Sequence, residues 1–193
     1  KNGEPGVDDD ENGLIDDIYG YDFINGDSDP MDGHGHGTHC SGVVGAIHNR
    51  SGIRGVMANV KILPIKFLSD SGGGTLEAAI KAIDYGIKRK VHILSNSWEG
   101  GNFSRGLKDA IQAANRAGIV FVAAAGNARN DNDKWPTYPA SYKVGLYTQG
   151  RHIKDIMRSL SHELVHHSQN CRGDFDSGIA TVEGYAQEDG HLR

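Results

Sequence analysis

The chain has 193 residues, and 20 lysines and arginines against 25 acidic residues give it a formal net charge of −5. A chain of this length can bury one core or two small ones. The mild negative charge argues against a nucleic-acid partner, and the lack of any run of 18 apolar residues argues against a membrane span. The chain starts at Lys1 with no signal-peptide pattern, so we expect it to be a piece of something longer.

An acidic, glycine-rich segment, residues 4–30, is expected to lie on the surface around a cation. Its oxygen-bearing side chains occupy the first, third, fifth and ninth positions of a loop similar to an EF-hand loop, namely Asp8, Asp10, Asn12 and Asp16. This spacing turns alternate oxygens toward one centre, which suits Ca²⁺. Tyr19 replaces the bidentate glutamate of such loops, so we expect weak calcium binding, with a solvated acidic loop as the alternative.

From Val56 onward, apolar runs alternate with amphipathic segments. Residues 60–68, 92–98 and 119–127 predict three strands, and the segments that follow Thr75 and Ser104 predict two helices. Strands that alternate with helices favour a parallel α/β sheet flanked by helices, with the functional site at the carboxyl ends of the strands.

Residues 32–42, with the sequence DGHGHGTHCSG, place histidines in a glycine-rich turn that leads into a helix of small residues. His36 stands at the predicted helix start with little steric cover, which suits a general base that must reach a hydroxyl group. The alternative is a surface cluster or a weak metal site made of His34, His36 and His39.

Asn127 ends the predicted strand AAAGN, where its amide can donate to a developing oxyanion. Together with HGTH and SNSWEGG, this motif resembles the subtilisin-like serine peptidases, or subtilases, over about residues 3–142. The resemblance implies a partial subtilase catalytic domain over residues 1–142, a polypeptide substrate and an extracellular location. It also implies that the acidic segment holds a structural Ca²⁺.

In that family, His36 would be the catalytic base and Asn127 would complete the oxyanion hole. The segment that pairs with the substrate backbone would consist of Ser97, Trp98, Glu99 and Gly100, with Glu99 standing where a glycine is usual. No motif like GTSMA supplies a nucleophilic serine, and the family order places the triad aspartate before residue 1. We therefore expect this chain alone to be inactive as a serine peptidase.

Residues 150–170 predict one long amphipathic helix that contains the sequence SHELVHH. His162 and His166 are four residues apart, so they share a helix face and can hold Zn²⁺, and Glu163 can deprotonate a metal-bound water. Residues 143–193 thus resemble a zincin-type HExxH metallopeptidase segment. The alternative is a helix with a polar face of histidine and glutamate.

No linker rich in Pro, Ser or Gly separates residues 1–142 from residues 143–193. Two genuine domains are normally joined by an exposed linker, so we hypothesise that the chain joins two fragments. Three functions follow: a serine endopeptidase fragment, a zinc metallopeptidase, or a calcium-stabilised module that binds peptides without cleaving them.

Overall fold

A computed structural model describes residues 4–129 and 131–142. This part of the chain is α/β, with short strands and helices that alternate along the sequence. In chain order the elements are β1 (Tyr21–Asp22), α1 (His36–Gly45), β2 (Ile65–Lys66), α2 (Leu76–Lys88), β3 (Ile93–Asn96), α3 (Arg105–Arg116) and β4 (Val120–Ala123).

Helices α2 and α3 begin directly after the predicted capping residues. The side-chain oxygen of Thr75 accepts the N–H of Ala78 at 3.1 Å, and that of Ser104 accepts the N–H of Leu107 at 3.2 Å. Each bond satisfies one of the backbone donors that a helix start leaves free. Beyond α3, Gly118 has a φ of +78°, which a glycine adopts without strain.

The strands β3 and β4 form a parallel pair, with Ile93 opposite Val120 and Asn96 opposite Ala123. Helix α3 connects them and packs on both β4 and α2. This unit confirms the predicted order of strand, helix and strand, although both strands are shorter than the apolar runs at 92–98 and 119–127.

The partner of β2 differs from the prediction. In the described residues β2 pairs in parallel with β1, with Tyr21 opposite Ile65, and the acidic segment therefore contributes a strand instead of only covering the surface. Aromatic packing explains the difference, because Tyr21 and Phe23 lie with ring centroids 6.4 and 5.8 Å from that of Tyr85 on α2. This ring packing attaches the acidic segment to helix α2.

The main core lies where α2 and α3 meet. Small side chains on α2 allow close packing, and larger ones on α3 fill the contact. The buried apolar residues of these two helices are Ala78, Ala79, Ala82, Ile83, Tyr85, Leu107, Ile111 and Ala114.

The described chain divides into two compact units. One contains residues 4–97 with 102–123, including all the strands and helices given above, and the other contains residues 98–101 with 124–129 and 131–142. In the second unit the rings of Tyr138 and Tyr142 lie 4.5 Å apart, and Tyr142 is buried. Among the described helices, none has the length and apolar character that crossing a membrane requires.

Candidate active site

His36 is the first residue of α1, as the sequence predicts. It follows Gly35, whose φ of +92° lies in the region that only glycine adopts readily, so the chain turns sharply into the helix at this point. The His36 side chain is exposed, and its Nε2 lies 3.8 Å from the sulfur of Cys40 one helical turn later. The backbone of His36 is therefore held by the turn and the helix start, while its imidazole ring is open to solvent.

Asp32 holds this turn in place. Its carboxylate accepts backbone N–H groups from His34 at 3.0 Å, Gly35 at 2.8 Å and Thr38 at 2.8 Å, and the Thr38 hydroxyl at 2.7 Å. The Thr38 hydroxyl contributes most, followed by the backbone donors, to a pKa of Asp32 far below its usual range. Asp32 thus stays ionised and takes the place of a side-chain cap at the start of α1.

A lysine fastens the same turn from the neighbouring strand. The Nζ of Lys66 donates to the carbonyl of Met31 at 2.9 Å and lies 2.9 Å from Asp70 and 3.4 Å from the fully buried Asp22. The hydrogen bond to Asp70 is the main cause of the raised pKa of Lys66. Asp70 in turn lies against Gly33, where a side chain would overlap its carboxylate.

The second unit holds most of the predicted substrate-binding segment together with Asn127. The N–H of Gly100 donates to the carbonyl of Tyr138 at 3.0 Å. The N–H of Asn127 donates to Oε1 of Glu99 at 3.3 Å, and a side chain at Gly126 would overlap the same carboxylate. The structure therefore brings Glu99 and Asn127 together. Ser97 and His36 belong to the first unit.

The predicted calcium ligands Asp8 and Asp16 satisfy backbone donors inside the acidic segment. The Asp8 carboxylate accepts the N–H groups of Asn12 at 3.1 Å and Gly13 at 2.7 Å. The Asp16 carboxylate accepts the N–H of Gly6 at 2.9 Å. Both side chains stabilise the turns of the segment.

Of the other two predicted ligands, Asp10 contacts the residue that follows helix α2, and the Asn12 side chain contacts the acidic segment itself. Asp10 lies 3.5 Å from Arg89, while the Asn12 side chain donates to Asp17 at 2.7 Å and accepts the N–H of Leu14. Within the described residues, no group of three or more His, Cys, Asp or Glu side chains is arranged to hold a metal ion. The donors have the oxygen chemistry that Ca²⁺ prefers, and calcium binding stays a prediction.

The predicted zinc site lies outside the described residues. It comprises His162, Glu163 and His166 on the helix predicted over residues 150–170. The zinc ligands and the boundary at residue 142 therefore stay predictions.

Sequence reasoning missed the roles of Asp32 and Glu99. Asp32 accepts N–H groups two and three residues ahead, from His34 and Gly35, and an aspartate commonly makes such local turn contacts, so this part of its role could have been expected. The contact between Glu99 and Asn127 joins two segments 28 residues apart, and no local pattern predicts it.

Comparisons with known proteins agree with the motifs. A model of the Subtilase family matches residues 4–181, which includes the HExxH sequence. Subtilisin-like protease 1 of Plasmodium berghei (strain Anka) is 40% identical over 136 residues, which are 70% of this chain and 23% of that protein. Thermitase of Thermoactinomyces vulgaris is 39% identical over 145 residues, which are 75% of this chain and 51% of that protein.

A solved structure gives the same result for the fold. The crystal structure of a cold adapted subtilisin-like serine proteinase matches with a TM-score of 0.56 and 36% identity, over 64% of this chain and 43% of that one. The chain thus spans about half or less of the length of these relatives. From the family match, the motifs and the fold together, we conclude that the chain belongs to the subtilase family of serine peptidases.

Proposed function

We propose that this chain carries part of the active site of a subtilisin-like serine endopeptidase that cleaves polypeptides. The observation that carries the proposal is the position of His36, which is the exposed first residue of α1 on a turn held by Asp32. Such a turn keeps the backbone of a catalytic base in one place without covering its ring.

Each candidate residue has a distinct role in this proposal. His36 takes the proton of the attacking hydroxyl group as general base and returns it to the leaving amine. The side-chain amide of Asn127 donates to the oxyanion of the tetrahedral intermediate, where charge develops in the transition state. The segment with Ser97, Trp98, Glu99 and Gly100 adds its backbone to an extended substrate.

We infer that the nucleophilic serine and the triad aspartate are supplied by sequence other than these 193 residues. Neither a GTSMA-like motif nor an aspartate in the family position upstream of the acidic segment is present. A histidine without these two partners loses most of the rate enhancement of a triad. The chain alone therefore binds peptides but does not cleave them at a measurable rate.

Two enzyme assays test this proposal. The isolated chain should neither hydrolyse casein nor be labelled by a fluorophosphonate, and labelling that maps to one of its residues would contradict the inferred lack of a nucleophile. The source DNA, sequenced across the codons for residues 135–151 and past both ends, shows whether a longer frame supplies the triad aspartate and serine.

Any longer product with those residues should hydrolyse casein. His36→Ala should lower its kcat by about a million-fold, because the residues of a subtilisin triad act as a unit and the rate falls almost completely when the histidine is removed. His39→Ala is the matched control in the same motif, since the His39 side chain is also exposed, and it should leave kcat unchanged. Full activity of His36→Ala would overturn the proposal.

A structural calcium ion in the acidic segment is a further proposal. It is supported by the spacing of Asp8, Asp10, Asn12 and Asp16 and by their oxygen donors. Calcium that binds only the folded chain raises its melting temperature, so addition of millimolar Ca²⁺ after EDTA treatment tests the proposal. An unchanged melting temperature would exclude a calcium site of useful affinity.

The zinc metallopeptidase is the second candidate function, and it depends on the spacing of His162, Glu163 and His166 alone. Two histidines four residues apart on a helix provide two ligands, and the glutamate between them provides a base for a metal-bound water. Elemental analysis of the purified chain tests it. Near-stoichiometric zinc that is lost in His162→Ala supports the site, and zinc-free protein after dialysis against zinc rejects it.

The proposed location is outside the cell. Subtilases with calcium sites work where Ca²⁺ is plentiful, and the proposed calcium site would be filled there.

A further inference from the structure

The carboxylate of Glu99 lies on the turn that leads to Asn127. Its Oε1 accepts the N–H of Asn127 at 3.3 Å, and its second oxygen occupies the space that a side chain at Gly126 would need. Gly126 has a φ of +99°, a backbone conformation that favours glycine. A side chain at this position would also overlap the Glu99 carboxylate. Both segments lie within the second unit, and the contact joins them there.

The negative charge at this point has no cationic partner among the described residues. Lys134, a cation of the same unit, pairs instead with Asp131 at 3.4 Å. Glu99 is exposed, and one backbone N–H leaves its carboxylate with further acceptor capacity. A guanidinium or ammonium group that arrives from solvent can use that capacity and neutralise the charge.

The proposed function places a substrate side chain at this contact. The carbonyl group to be attacked lies at the side-chain amide of Asn127, and the residue that carries this carbonyl pairs with the segment that contains Glu99. Its side chain therefore projects beside a carboxylate that links these two segments.

We propose that Glu99 makes this subsite select a lysine or arginine side chain on the residue whose carbonyl is attacked. The inference rests on the proposed function. A cationic side chain gains a charge-assisted hydrogen bond there, while an apolar one of the same length gains none and leaves the carboxylate with the N–H of Asn127 and no cation. Complementary charge at a contact site serves mainly to discriminate between ligands. Here the specificity is the difference in affinity between a substrate with a cationic side chain and one with an apolar side chain.

Peptide binding to the full chain tests the proposal without requiring catalysis. Two acetylated hexapeptide amides that differ only by lysine or norleucine at the fourth position are titrated, and the change in tryptophan fluorescence gives each Kd. Trp98 adjoins Glu99 in the sequence and supplies the signal. Mass spectrometry verifies that the peptides stay intact. We expect the lysine peptide to bind about tenfold more tightly at low salt, with the ratio falling as salt is added.

Two variants separate the charge of Glu99 from its structural contact. Glu99→Gln keeps an acceptor for the Asn127 N–H and should reduce the ratio of the two Kd values to about one. Asp133→Asn removes the same charge from an exposed site in the same unit and should leave the ratio unchanged. The melting temperature of each variant verifies that it is folded.

The outcomes distinguish the inference from the proposed function. Equal binding of both peptides to the unmodified chain, or a ratio that Glu99→Gln leaves unchanged, overturns the role of Glu99 while leaving the peptide-binding segment in place. Failure of both peptides to bind at millimolar concentration overturns the inference and the proposed function together. A lysine preference that disappears in Glu99→Gln and persists in Asp133→Asn supports the inference.

Discussion

Asp32 determines how the turn before His36 responds to pH. The hydroxyl and N–H of Thr38 and the N–H groups of Gly35 and His34 all donate to its carboxylate and lower its pKa. An aspartate whose folded pKa is depressed contributes stability above its unfolded pKa of about 3.9, and loses it as the pH falls through the folded value. We therefore expect Asp32→Asn to lower the melting temperature by a constant amount between pH 7 and 5.

Below about pH 4 the difference between Asp32→Asn and the unmodified chain should shrink, because Asp32 then takes up a proton in the unfolded chain, which favours unfolding, while the folded carboxylate with its lowered pKa stays ionised. Circular dichroism melts at several pH values measure this difference. Asp29→Asn is the control for net charge. Among the described residues the Asp29 side chain accepts the N–H of Met31 alone, so its replacement should show a smaller effect. A difference that stays constant down to pH 2 would contradict the assigned role of Asp32.

The acidic segment and helix α2 are held together by the cations at the end of the helix. The Nη1 of Arg89 lies 2.9 Å from the buried carboxylate of Asp17 and 3.5 Å from Asp10, and it donates to the Asp17 carbonyl. The hydroxyl of Tyr85 donates to the same carbonyl at 3.2 Å, and burial raises the pKa of that phenol. One arginine thus lies between two carboxylates and offsets part of their negative charge.

Replacement of Arg89 by methionine should release this contact. The Asp17 side chain is 8% exposed and would lose its cation, while Arg89 is 22% exposed, so the loss is smaller than for a fully buried pair. We expect the free energy of unfolding to fall by about 2 kcal/mol, measured by urea denaturation. Arg89→Lys should cost less, and Lys90→Met, at an exposed position beside it, should cost little. Equal effects of Arg89→Met and Lys90→Met would contradict this view.

The elements show which features a sequence can predict. The starts of α2 and α3 follow from Thr75 and Ser104, because a capping bond reaches only three residues along the chain. The pairing of Tyr21 with Ile65 could not be predicted, because a strand of two residues has no periodicity and its position depends on aromatic packing. The same distinction applies at the site. The position of His36 at a helix start depends on neighbouring residues and is predictable, whereas the contact of Glu99 with Asn127 joins segments 28 residues apart and is not.

At the scale of the whole molecule, the hypothesis that two fragments are joined near residue 142 makes a calorimetric prediction. A protein with one core unfolds in a single cooperative transition, and probes of different parts then report the same midpoint. Two fragments that have separate cores unfold at different temperatures. The sequence provides a selective probe, because both tryptophans, Trp98 and Trp135, precede residue 142.

Tryptophan fluorescence and far-ultraviolet circular dichroism should therefore give different melting curves for the full chain. Fluorescence reports only the part of the chain before residue 142, whereas circular dichroism also includes any helix over residues 150–170. If that helix binds zinc through His162 and His166, added zinc should raise the midpoint of the second dichroism transition and leave the fluorescence midpoint unchanged, since a ligand stabilises only the structure that binds it. Coincident curves, with one calorimetric peak, would show a single folding unit and overturn the hypothesis of two fragments.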